Sequence, residues 1–205
     1  MNRVPCSVLA ACLLVAVAPA CQTADEAGGV TPIEGLANPS LHILFDNTRA
    51  LPETGTFGWG ISLLHIDPAL KLNLSEIEAR LHRSLRDALP SEGFTYTNEA
   101  PDYLVGFAVM AGASLDEAEL NQFYGASLSF PARVDATPPM NYQAGVLILD
   151  LVERINGHLL WRGAIKADIN LDLPEAKKQA RCDGAIRELL RHYPNPHTAG
   201  RNAHP

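Results

Sequence analysis

No apolar run in this sequence is long enough to cross a bilayer as a helix, positive charge is scarce, and cysteines and aromatic residues are few. Val8 to Val17 is uncharged and apolar, but roughly ten residues fall well short of the ~20 a spanning helix needs. Lysine and arginine number 16 against 23 acidic residues. Such a surface repels phosphates, so nucleic acid is not an expected partner. Aromatic residues make up 6% of the chain while 47% of residues are apolar, which implies one core built mainly from aliphatic side chains.

Catalytic and ligand-binding signatures are missing too. There is no P-loop, G-x-G-x-x-G, H-E-x-x-H or C-x-x-C. Gly125-Ala126-Ser127-Leu128-Ser129 starts like the G-x-S-x-G of a serine hydrolase but lacks the second glycine. The histidines, at 42, 65, 82, 158, 192, 197 and 204, show no metal-ligand spacing, and His82 reads as a solvated residue on a helix flank. Asp46, Asp67 and Asp102 would have to meet in space to act as an acid pair; turn and capping roles are the default. No catalytic residue, metal ligand or cofactor site is assigned from the sequence.

What is present begins with a targeting signal. Arg3 precedes the apolar stretch, and Ala18-Pro19-Ala20-Cys21 follows it. Small residues at 18 and 20 suit ordinary signal cleavage. The same four residues resemble the lipobox of bacterial lipoproteins, although Ala18 stands where leucine is usual. The expectation is a signal peptide over 1–20 and lipidation of Cys21, with plain secretion as the alternative. Cleavage would remove Cys6 and Cys12, and a lipid on Cys21 would leave Cys182 as the remaining thiol, too few for a disulfide. Cys182 itself reads as a small buried hydrophobe. Gln22, not Asp, follows the cysteine, which points to the outer membrane, with the domain facing the periplasm.

Residues 21–39 are small and polar, with Gly and Pro, and read as a lipid-attached flexible tether. A single domain is expected over 40–195, and 196–205 as a disordered tail. Strands are predicted at 42–45, 56–64, 94–97, 102–111, 142–153 and 158–169. Ile77, Leu81, Leu85 and Leu89 recur every four residues, predicting a helix over 75–89 with Ser75 and Glu78 as a capping box. A second helix is expected over 174–192, capped by Asp172, with Ala176, Ala180, Ile186, Leu189 and Leu190 on its apolar face. Residues 112–141 carry three prolines and little period and read as a mobile excursion whose side chains scarcely reach the core. The string argues an α+β fold, with both helices on one face of a mainly antiparallel sheet.

Asn156-Gly157 between two apolar runs marks a hairpin, and alternation chooses its register. A two-residue loop would set Asp150 opposite Gly163, within the apolar face. A three-residue loop, Ile155-Asn156-Gly157, with Gly157 left-handed, sets Leu151 opposite Trp161, Leu149 opposite Gly163 and Leu147 opposite Ile165. Asp150 then meets Arg162 on the other face as an exposed pair. The second register is expected, because a slip of one residue reverses every side chain.

With these elements placed, the chain resembles the bacterial envelope lipoprotein family known as domain of unknown function 4136. The likeness is carried by Pro101-Asp102-Tyr103-Leu104-Val105, by Tyr142, Gly145 and Leu147 leading to Asp150, by Trp161-Arg162-Gly163, and by a last helix closing on Tyr193-Pro194. It spans roughly 40–195 and is sharp from 101 onward. The resemblance implies an α+β domain on a lipid tether in the envelope and no assigned activity. Two functions follow as expectations. One is a non-catalytic lipoprotein that binds or scaffolds an envelope protein; the other is a periplasmic hydrolase or lipid-handling protein whose site forms only in three dimensions.

Overall fold

The computed structural model describes residues 22–23, 31–112, 128, 130 and 141–194. The signal peptide, Cys21, most of 113–140 and the tail beyond 194 lie outside them. Among the described residues seven strands form one sheet: β1 (Gln22–Thr23), β2 (Leu36–Phe45), β3 (Gly55–Ile66), β4 (Phe94–Tyr96), β5 (Tyr103–Ala111), β6 (Tyr142–Glu153) and β7 (Leu159–Asn170). Their order is β1-β2-β7-β6-β5-β3-β4. All neighbours are antiparallel except that β3 runs parallel to both β4 and β5. The α+β expectation holds, with a mixed sheet. Between β3 and β4 the chain passes through helix α1 (Leu74–Ala88), a crossover that returns it in the same direction. Helix α2 (Glu175–Arg191) packs beside α1.

Local chemistry sets the helix ends differently from the sequence reading. Asn73, not Ser75, caps α1: its Oδ1 accepts from the Glu76 amide at 3.3 Å and its Nδ2 donates to the Glu76 carboxylate at 3.0 Å. The reciprocal capping pair therefore exists two residues earlier than Ser75/Glu78. Asp172 does not cap α2; Pro174 occupies the N-cap, with no side-chain hydrogen bond there. Ala176 and Ala180 are exposed, because the first half of α2 meets α1 through polar groups. Ser84 donates to Asp183 at 2.6 Å and Gln179 donates to Ser84 at 2.9 Å. Ala185, Ile186, Leu189 and Leu190 carry the burial.

The predicted register is the observed one. Leu151 pairs with Trp161, Leu149 with Gly163, Leu147 with Ile165 and Asp150 with Arg162. The turn reaches it by another route. Glu153 donates its amide to the His158 carbonyl at 2.8 Å and accepts from Gly157 at 2.9 Å, so the loop holds four residues, Arg154 to Gly157. Gly157 is left-handed, with φ 69°. A bulge at Leu160 then restores the ladder. The longer loop alone would have moved every later side chain across the sheet, and the apolar pattern overrides it.

Trp161 explains the Trp-Arg-Gly triplet. Its indole lies across Gly163, where an added Cβ would sit 2.5 Å from Cη2, and its edge meets Tyr193 at 5.6 Å between ring centroids. The ring is buried and cannot swing away, so Gly163→Val is expected to cost about 1–3 kcal/mol through overpacking. The urea midpoint of the variant measures it.

Three expectations about what lies outside the core are corrected. Residues 36–39 are not tether, because β2 already pairs there with β7, Leu36 opposite Ile169. Upstream, Ile33 lies against Gly184, whose missing side chain makes the room, and Glu34 meets Lys177 at 2.5 Å. The Asp150–Arg162 pair is buried, its side chains 13% and 7% exposed, because the second face of the sheet is covered as well. Ala108, Met110, Val146, Ile148 and Ala164 form a second apolar cluster there. Leu128 and Phe130, from the excursion, belong to it at 1% and 6% exposure.

Candidate functional site

The sheet ends in two unlike edges. On β2, which the two-residue β1 covers only at Leu44 and Phe45, Pro39 lacks an N–H, Asn38 is left-handed with φ 50°, and the ladder to β7 is interrupted between Ala37 and Ser40. That edge is blunted for strand addition. On β3, the three-residue β4 pairs only with Gly55, Thr56 and Phe57. Beyond Phe57, no strand among the described residues pairs with β3 on the side away from β5.

A bulge occupies the middle of this open stretch. The β5 register jumps between Trp59–Val105 and Ser62–Phe107, leaving Gly60 and Ile61 against Gly106. A Cβ on Gly106 would stand 2.8 Å from the Ile61 carbonyl oxygen, so glycine at 106 permits the close approach. The bulge turns Ile61 outward, 74% exposed.

Beside the bulge, on the helix side, is a ledge of rings. Trp59 lies 4.2 Å from His82 and 5.3 Å from Tyr96 between centroids. The Arg86 guanidinium sits 4.4 Å over the Tyr96 ring, a cation–π contact. Trp59, His82 and Tyr96 are half-buried. His82 is thus no solvated flank residue: it is wedged between Trp59 and Phe107, the latter 5.2 Å away. Burial holds its imidazole below the ordinary pKa, with Glu78 pulling the other way and Arg86 adding to the decrease. A folded pKa below the unfolded one means the fold favours neutral His82. Its contribution to stability is present above the unfolded value, about 6.5, and is lost as pH falls below it. Between about pH 7.5 and 5.5, wild type should lose urea stability relative to His82→Phe, which keeps the stack without the charge. Equal slopes would contradict the assignment.

The sequence-marked acids are held apart by separate local duties. Asp46 accepts from the Thr48 hydroxyl at 2.6 Å and amide at 2.9 Å and meets His158 Nε2 at 2.7 Å, contacts that lower its pKa to about 2. Asp67 accepts from the Ala69 amide at 2.8 Å. Asp102 takes the Thr56 amide at 2.9 Å and hydroxyl at 2.7 Å, which lower its pKa. Among the described residues no group of three or more His, Cys, Asp or Glu converges as a metal site. No helix among them is long and apolar enough to cross a membrane. Cys21, the lipidation candidate, and Ser127 lie outside the described residues. Sequence reasoning missed Ile61 and the ledge; the glycines at 58 and 60 weakened the strand signal and were themselves the mark of a bulge.

The family described as Domain of unknown function (DUF4136) matches residues 45–195. No curated protein matches the chain. Among solved structures, a DUF4136 family protein from Bacteroides thetaiotaomicron is similar at 13% identity and TM-score 0.43, over 77% of this chain and 98% of its own. The PelC dodecamer from Paraburkholderia phytofirmans is similar at 6% identity and TM-score 0.39, over 74% and 96%. A PDZ domain protein from Parabacteroides distasonis is similar at 14% and 0.44, over 78% of this chain and 37% of its own.

Proposed function

The chain belongs to the DUF4136 family, and from there we propose that it is an exported envelope lipoprotein that binds a protein partner along β3, without catalysis. The lipid sits on Cys21 and holds the domain at the outer membrane, facing the periplasm. Two or more acyl chains give stable attachment, each buried methylene adding about 0.8 kcal/mol. The observation that carries the binding role is the open, bulged stretch of β3 with Ile61 exposed next to Trp59, Tyr96 and Arg86. The bulge disfavours simple strand addition, so the contact rests on side chains: an exposed isoleucine with aromatic and arginine neighbours, the residue types that supply most interface energy.

Anchor and edge are tested separately. Cys21→Ser should move the protein from the membrane fraction to the soluble periplasm; wild type found soluble would refute the anchor. A photo-crosslinking residue at Ile61 should capture one discrete protein in intact cells, whereas the same residue at Ile155, 84% exposed on the hairpin, should not. Absence of an adduct at 61, or identical adducts at both positions, would refute the edge.

A further inference from the structure

At the end of the sheet opposite the hairpin, a cavity of about 110 Å³ lies between sheet and helices. It is partly open to solvent, so an elongated ligand can leave one end outside it. Strands β5, β6 and β7 give it Val109, Leu147, Ile165 and Ile169, and the helices add Ile77 and Cys182. Two lining side chains are charged, Arg80 and Arg181, and both are cations.

The two arginines keep different company. Arg80 meets the carboxylates of Glu76 at 3.2 Å and Glu175 at 2.6 Å. Arg181 donates to the Asn170 carbonyl, and no carboxylate among the described residues pairs with it. Burial, with the Arg80 charge nearby, lowers its pKa. A half-buried cation without a counter-ion is unfavourable, and its remaining N–H donors suit a planar anion in two-point contact. The hydrocarbon wall and a guanidinium with no carboxylate partner among the described residues together select an amphiphile.

We propose that this cavity binds a short acyl chain ending in a carboxylate, with the chain among Val109, Leu147 and Ile165 and the head on Arg181. The site does not depend on the anchor or on the β3 edge. Cys182 in its wall reports occupancy.

The experiment follows iodoacetamide labelling of Cys182 in the purified full chain by peptide mass spectrometry, with octanoate, octyltrimethylammonium or acetate present. Octanoate should slow labelling about tenfold or more at saturation, and neither the cationic analogue nor acetate should. Arg181→Gln should weaken octanoate by about tenfold or more, the size of a lost charge-assisted contact. The ligand series needs no variant, so it decides even if Arg181→Gln folds poorly. Failure of octanoate to protect Cys182, or equal protection by the cationic analogue, would overturn the proposal.

Discussion

Replacing Arg162 with methionine will destabilise the protein by about 3–5 kcal/mol, as expected when one member of a buried ion pair is removed. The guanidinium meets Asp150 with two hydrogen bonds, Nε to Oδ1 and Nη2 to Oδ2, each 2.6 Å. With the side chains 7% and 13% exposed, solvent does little to screen the pair. The variant leaves the Asp150 carboxylate, 13% exposed, without the guanidinium that pairs with it. The Asp150→Leu/Arg162→Met double variant removes both charges and should regain most of the loss, since apolar replacements of buried pairs are often neutral. Urea unfolding of the two proteins measures both steps. A single variant within about 1 kcal/mol of wild type would place the pair among exposed bridges.

Leu128→Ala should cost about 2–5 kcal/mol, the range for truncating a buried leucine. Leu128 is 1% exposed and belongs, with Phe130, to the cluster formed by Met110, Val146 and Ile148. Leu128 and Phe130 therefore help to cover the second face, and deletion of residues 112–141, which removes both, should destabilise by at least as much as this substitution. For a domain of this size, 2 kcal/mol corresponds to a melting-temperature fall of about 4–8 °C. A smaller fall for Leu128→Ala would mean that the second face tolerates exposure.

Legibility in the sequence followed the range of the interactions. The β6–β7 register could be read because alternation puts Leu147, Leu149, Leu151, Trp161 and Ile165 on one face, and a slip of one residue would expose them all. Helix α1 was legible from its four-residue recurrence, although its cap was not, since Ser75 and Asn73 both suit an N-cap. The burial of Asp150 and Arg162 was not legible. Alternation states that they share a face and says nothing of what covers it.

By itself, the sequence determined the α+β element order, the register of the central hairpin, the placement of Trp161 in the core and the family. Each rests on periodicity or on contacts close along the chain. Only the tertiary structure decided that β3 runs parallel to β5, that Leu128 and Phe130 close the second face, that Ile33 docks on Gly184, and that Ile61 stands out beside a ledge of rings. Those outcomes depend on side chains brought together by the whole sheet. The free energy of burial is set by the surface that arrives opposite, which no local pattern encodes.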